Sequence, residues 1–191
     1  MNSNAFKKSL LLTGLMLACL CFSPAGIFAA KGIVVSKLSC EHLDDPMGLG
    51  TTEPRLSWIL ASEENNQVQS AYQVLVASSP GLLSERKADL WNSQKVESDR
   101  SVLVEYGGES LSSRDRCWWK VRVWDKNGKA SAWSEPGYFE IGLLSSNDWE
   151  GKWIRIDKDF SAGQHPVLMF RKEFESEKQV ESARLYISSL G

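Results

Sequence analysis

Alternating apolar and polar residues run through the middle of the chain, and this is the pattern of half-buried β-strands. The clearest alternation places Cys117, Trp119, Val121 and Val123 on one face. The opposite face carries Trp118, Lys120, Arg122 and Trp124. The same period occurs around Trp58, Val74 and Val104, and Pro54, Pro80 and Pro136 mark the ends of segments, where a missing N–H costs least.

A hairpin is predicted after the clearest strand, because Asn127-Gly128 is a pair that tolerates the positive φ angles of a tight turn. The chain should then reverse, with residues 132–141 pairing back. Only residues 82–91 have helical spacing, and this segment is short. Repeated strands and turns without a strand–helix–strand pattern predict an all-β fold, a β-sandwich.

The first thirty residues have the pattern of a secretory signal peptide. Lys7 and Lys8 precede an apolar run over 10–22, and a break at 23–26 leads to Ala29-Ala30. We therefore predict that residues 1–30 are a signal peptide and that the protein is exported, to the periplasm or outside the cell. Two alternatives stay open: a membrane anchor, which Pro24 opposes, and a lipoprotein signal with Cys19 as the lipid acceptor, which is less favoured.

Composition narrows the function classes. The 191 residues are 42% hydrophobic and 24% charged, as in one or two ordinary soluble domains. Lys+Arg at 22 against Asp+Glu at 24 gives a net charge of −2, without the cationic excess that nucleic-acid binding needs. Two histidines and four scattered cysteines predict no metal site. No glycine-rich phosphate loop or nucleophile constellation is present, so we predict no cofactor and assign no catalytic residue.

The eight tryptophans need an explanation, since indole rings serve either as core anchors or as contact surfaces. Trp58 and Trp119 share their faces with aliphatic residues and are predicted to be core. Trp118 and Trp124 point outward by parity, with Trp133 near them across the hairpin. This cluster predicts an interaction surface that stacks on carbohydrate, docks against a neighbouring domain, or is covered by the stems of Lys120 and Arg122. We favour docking or covering over sugar stacking.

Several motifs, in order, carry a resemblance to known families. Leu111, Trp119–Val123, Asn127-Gly128 and Ser131–Pro136 resemble the sixth and seventh strands of a fibronectin type III domain. Four segments resemble the N-terminal module of bacterial α-L-rhamnosidases, which cleave terminal rhamnose: 55–58 (RLSW), 69–78 (QSAYQVLVAS), 90–96 (LWNSQKV) and 119–125 (WKVRVWD). Segments 148–154, 170–174 and 183–191 are similar to the opening strands of that family's next β-domain.

The resemblance implies an organisation of the chain. Residues 31–142 would form an immunoglobulin-like or fibronectin type III-like β-sandwich, 143–148 a linker, and 149–191 the first strands of an incomplete second β-domain. Such enzymes carry paired carboxylates in a separate α/α barrel, about 6.5–9.5 Å apart. The acidic pairs here, Asp44-Asp45 and Glu63-Glu64, lie in turn-like polar segments and do not fit that role.

We therefore expect a truncated or incomplete, non-catalytic N-terminal part of a larger exported rhamnosidase-like protein, inactive alone. Its expected partners are the downstream domains and, as a second class, rhamnose-containing glycans. The alternative is a free-standing fibronectin-type module that binds carbohydrate or protein. Cys117 stands where the family usually has a tyrosine that bonds to upstream backbone. A sandwich of this type would bring Cys40 and Cys117 to one pole, which suggests a disulfide between them, with two buried thiols as the alternative.

Overall fold

Nearly all regular structure in the described residues is β-structure. The computed structural model describes residues 32–155, 167–181 and 183–189. The strands are β1 (Val34–Cys40), β2 (Met47–Leu49), β3 (Arg55–Ala61), β4 (Gln69–Ala77), β5 (Trp91–Asn92), β6 (Val96–Glu97), β7 (Val104–Glu105), β8 (Arg116–Asp125) and β9 (Gly137–Ile141). Two short 3₁₀ turns, Pro80–Leu82 and Ser146–Asp148, complete the elements.

The strands form two sheets. One has three strands in the order β1-β3-β7, and the other has the order β2-β9-β8-β4-β5, with β6 also paired to β4. All pairs are antiparallel except β2 with β9, which is parallel. Side chains of both sheets meet in one core that includes Leu56, Trp58, Val74, Val121 and Phe139. The predicted all-β sandwich is therefore confirmed.

Strand parity follows the sequence pattern in β8 but not in β4. In β8, Cys117, Trp119, Val121 and Val123 are buried and the intervening side chains are half-buried. In β4 the outward-facing Gln73, Leu75 and Ala77 are buried as well, at 3%, 0% and 0% exposure. The reason is a second small cluster, in which Leu83, Trp118 and Trp133 cover the outside of β4.

The chain reverses after β8 as predicted, with a different turn. The Gly128 amide donates to the Asp125 carbonyl at 2.9 Å, and Gly128 has a φ of 77°. Among the four turn residues 125–128, only Gly128 has a positive φ, as in a type I turn followed by a bulge. The Asp125 carboxylate accepts from the amides of Asn127 and Lys129 at 2.8 and 2.9 Å. Regular pairing of the returning chain with β8 is confined to β9.

Residues 82–91, which have helical spacing, do not form an α-helix. After the turn at Pro80–Leu82, the Ala88 amide donates to the Ser84 carbonyl at 2.9 Å, and this single turn is not continued. A segment this short gains too few hydrogen bonds to offset helix nucleation. It lies instead over β4, with Leu83 and Ala88 packed on the outer cluster.

The described residues fall into two compact units, divided between Glu150 and Gly151. The described residues of the second unit form no strand, and many of its apolar side chains are exposed, including Trp153, Met169, Phe174 and Leu185. An extended segment becomes a strand only when a neighbour completes its hydrogen bonds, so the strands expected in 149–191 stay a prediction.

The predicted signal peptide at 1–30 and the alternative lipid acceptor Cys19 lie outside the described residues. Within the described ranges, the structure has no helix long and apolar enough to span a bilayer.

Candidate interaction surface

The three predicted surface tryptophans lie on the outer side of the six-stranded sheet. We call this surface the outer face and define it by Trp118, Lys120, Arg122 and Trp124 of β8 together with Trp133. All five side chains are half-buried. The outer face is therefore neither core nor freely exposed.

Two serines bring Trp133 beside β8. The amides of Ser131 and Ser134 donate to the carbonyls of Val123 and Val121, both at 2.8 Å. Their hydroxyls accept from the amides of the same two valines, both at 3.1 Å. The serine side chains thus complete the backbone bonding of the β8 edge where a regular ladder is missing. Because Ser131 and Ser134 are both bonded to β8, the Trp133 ring between them lies on the outer face.

Cations lie over the indole rings of Trp124 and Trp133. The Arg122 guanidinium carbon is 5.0 Å from the ring centroid of Trp124 and 4.7 Å from that of Trp133. Lys120 Nζ is 5.0 Å from the Trp133 centroid, and Lys95 Nζ is 5.2 Å from the Trp124 centroid. Each distance is within the range of a cation–π contact. Burial lowers the pKa of the Lys120 ammonium, in keeping with its partly dehydrated position.

The Arg122 guanidinium also bonds to two polar side chains, Gln73 and Glu85. Its Nε and one terminal nitrogen donate to Gln73 Oε1 at 3.1 and 2.8 Å, and the guanidinium pairs with Glu85 at 2.6 Å. Gln73 Nε2 in turn donates to Asn92 Oδ1 at 2.8 Å. Gln73 lies directly opposite Arg122 in the pairing of β4 with β8. This clamp was not predicted, although the outward position of the polar Gln73 in the largely apolar strand β4 indicates a buried polar contact.

Trp118 has a different environment from the other two indoles. Its ring meets Tyr138 edge to face at a centroid distance of 5.1 Å and packs on the Leu83 cluster. The Tyr138 hydroxyl donates to Glu140 Oε2 at 2.7 Å, and Arg116 Nε lies 3.5 Å from the same oxygen. Trp118 is thus fixed by its neighbours within the sandwich.

The described residues offer no catalytic centre. Asp44, Asp45, Glu63 and Glu64 are exposed on loops. Asp45 Oδ1 accepts from the Tyr138 amide at 2.8 Å and Asp44 pairs with Lys37 at 2.9 Å, so both have structural partners. The described ranges also contain no cluster of three or more His, Cys, Asp or Glu side chains that could hold a metal ion. The outer face therefore remains the candidate site.

Cys40 and Cys117 are both free thiols and both buried, at 1% and 0% exposure. Burial raises the pKa of each thiol to about 12. Both side chains belong to the same core cluster between the sheets. A disulfide between them stays a prediction.

Tyr106 lies in the same core as Cys117 and holds the loop that follows β7. The Tyr106 hydroxyl lies 2.8 Å from the Glu109 carbonyl and 3.2 Å from the Leu90 carbonyl, and its ring meets Trp91 edge to face at 5.5 Å. Burial raises the pKa of this phenol. Tyr106 was not predicted as an anchor from the sequence, in which Cys117 stands where the family usually has a tyrosine that bonds to upstream backbone.

Fold and surface together define the class of protein: an immunoglobulin-like β-sandwich without a catalytic centre in its described residues. Residues 35–145 match the family described as Rha78A-like, N-terminal immunoglobulin domain. The chain belongs to this family.

The known relatives of the chain are α-L-rhamnosidases, and each matches it over a small part of its own length. The chain is 50% identical over 120 residues to an α-L-rhamnosidase of Streptomyces avermitilis, covering 63% of this chain and 12% of the relative. An α-L-rhamnosidase of Formosa agariphila is 36% identical over 205 aligned positions, covering 96% of this chain and 22% of the relative. The crystal structure of the Streptomyces avermitilis enzyme with L-rhamnose is similar at a TM-score of 0.62 and 48% identity, over 65% of this chain and 12% of that one.

The chain thus spans between about an eighth and a fifth of the length of these relatives. The family match covers residues 35–145, and the alignment with the Formosa agariphila relative extends over 96% of this chain. The chain is accordingly a non-catalytic accessory portion of a rhamnosidase-like protein.

Proposed function

We propose that the parent protein is an exported glycoside hydrolase that removes terminal α-L-rhamnose from glycans or glycosides, and that this chain serves it as an N-terminal docking domain. The observation that carries the proposal is the family match over 35–145 combined with the relatives' shared activity name. Lys7 and Lys8, followed by the apolar run over 10–22, support export. On this proposal the outer face contacts a downstream domain.

The chemistry of the outer face supports docking better than sugar stacking. Aromatic and arginine side chains are enriched at protein interfaces. The rings of Trp124 and Trp133 already have Arg122 within 5.0 and 4.7 Å, and Lys95 and Lys120 approach the same rings. A sugar that stacked on either ring would compete with these cations, whereas a protein surface could pack on the edges of the rings and leave the cations in place.

Activity on an aryl α-L-rhamnoside tests the assignment. We expect the purified chain to release no aryl alcohol above the blank, with the Streptomyces avermitilis enzyme as the positive control. A chimera of that enzyme, in which residues 35–145 of this chain replace the matched region, should retain turnover. Hydrolysis by the chain alone would overturn the non-catalytic role, and a folded but inactive chimera would contradict the docking role.

Export needs a separate measurement. If the signal peptide is removed as proposed, the mature protein recovered from the producing cell should begin at Lys31, which intact mass and N-terminal sequencing determine. A protein that retains residues 1–30 would contradict cleavage, and one that begins with a lipidated Cys19 would establish the lipoprotein alternative.

A further inference from the structure

The segment that follows β9 looks like a flexible linker in composition, with Gly142 followed by two leucines, two serines and an asparagine. The structure has it packed instead. The Gly142 amide donates to the Leu49 carbonyl at 2.8 Å. A Cβ added to Gly142 would lie 3.0 Å from the Gly48 carbonyl oxygen, so the two backbones are in close contact. The segment therefore starts against β2.

Asp148 connects the other end of the segment to the loop before β8. Its Oδ2 accepts from the Ser113 hydroxyl at 2.5 Å and from the Ser145 amide at 2.9 Å. Its backbone carbonyl accepts from the Arg114 guanidinium at 2.8 Å. The Leu144 amide donates to the Ser113 hydroxyl at 2.9 Å. Ser113 thus bonds to both the beginning and the end of the segment.

The turn itself is closed at its own N-terminus. The Ser145 hydroxyl accepts from the Asn147 amide at 3.2 Å, and the reciprocal bonds between Ser145 and Asp148 form a capping box around Ser146–Asp148. A capping box satisfies two backbone donors at once and holds the turn in one conformation. A linker that only joined two bodies would need none of these bonds.

We propose that residues 142–150 form a fixed strap of the sandwich, and that Asp148 locks this strap onto Ser113 and Arg114. Asp148 and Ser113 are positioning residues in this role. The strap itself does not depend on which glycoside the parent protein cleaves.

Hydrogen–deuterium exchange measured by mass spectrometry on the full chain tests the strap. The amides of Leu144, Ser145, Asp148 and Trp149 are all bonded, so peptide 142–150 should be protected. Asp148→Ala removes the lock and the cap, and we expect exchange of this peptide to become about 5- to 30-fold faster. Glu150→Ala is the matched control, because its carboxylate is 91% exposed and lies 3.9 Å from Arg114.

Two results would overturn the proposal: unprotected exchange of 142–150 in the unmodified chain, or equal exchange in Asp148→Ala and Glu150→Ala. Peptide 116–125 reports in the same spectra whether β8 stays folded. If Asp148→Ala loosens β8 as well, Ser113→Ala, which removes only one hydroxyl, decides. Faster exchange in the strap alone supports the lock, and unchanged exchange in both peptides contradicts it. None of these readouts uses rhamnosidase activity, so they are independent of the proposed function.

Discussion

Replacement of Arg122 by methionine should destabilise the sandwich, because this side chain connects the half-buried rings of Trp124 and Trp133 to the buried amide of Gln73. Methionine keeps most of the aliphatic stem and removes the guanidinium. The variant therefore loses the contacts to Trp124 and Trp133, the ion pair with Glu85 and both hydrogen bonds to Gln73 Oε1.

The size of the effect can be built from these contacts. Cation–π contacts at partly exposed sites contribute about 0.5–1 kcal/mol each. The ion pair with Glu85 contributes at most about 1 kcal/mol, since it is solvent-screened. Gln73 is only 3% exposed, so leaving its oxygen without a donor costs about 1–3 kcal/mol. Because such terms overlap, we expect a loss of about 2–4 kcal/mol in the free energy of unfolding.

Urea unfolding followed by far-ultraviolet circular dichroism measures this loss without relying on tryptophan emission. Arg122→Lys keeps the charge but not the planar fork, so it should lose about half as much. Arg86→Met is the matched control, because Arg86 is exposed and should change stability by less than about 0.5 kcal/mol. If Arg122→Met loses less than about 1 kcal/mol, or no more than Arg86→Met, the clamp does not stabilise the sandwich.

Two further predictions concern the loop at Gly108 and the two buried thiols. Gly108→Ala should lose about 1–3 kcal/mol, because its Cβ would overlap the Leu90 carbonyl and lie 2.6 Å from Trp91 Cβ; Gly81→Ala, where the space is open, should be nearly neutral in the same urea titration. Cys40 and Cys117 should react very slowly with iodoacetamide at pH 8 in the folded chain, because burial raises the pKa of both thiols to about 12. Peptide mapping after unfolding without reductant then decides the disulfide, since alkylation at both positions contradicts it.

The outer face shows which level of structure a sequence can predict. Side-chain alternation in β8 follows from the pleat of a strand, so the outward direction of Trp118 and Trp124 could be deduced from spacing alone. The partners of those rings could not. The Arg122 clamp requires Gln73 to lie opposite Arg122, and that register is set by the pairing of strands 49 residues apart in sequence.

Tertiary context also explains the burial of β4. The alternating pattern predicted that one face of β4 is exposed to solvent. Residues 74–77 (VLVA) are nevertheless apolar at every position, as in a strand covered on both sides. The cover comes from Leu83, Trp118 and Trp133, which reach β4 only after 80–91 and 131–134 have folded over it. The segment 80–91 therefore does not form the helix that its spacing suggests, and Leu83 and Ala88 pack on the outside of β4 instead.

The arrangement of cations and rings bears on how the outer face is used. Contacts to Arg122, Lys120 and Lys95 hold Trp124 and Trp133 in place, so docking a protein surface there would cost little side-chain entropy. A stacked sugar would have to displace those cations. Removing Arg122 should therefore affect the two uses in opposite directions: it frees the ring faces for a sugar but loosens the preorganised surface that a domain would contact.

Tighter binding of L-rhamnose by Arg122→Met than by the unmodified chain, measured by tryptophan fluorescence, would show that the rings can bind sugar and that the clamp blocks them. Weaker association of the variant sandwich with the remaining domains of the parent protein, with no sugar binding in either form, is the result expected of a docking surface.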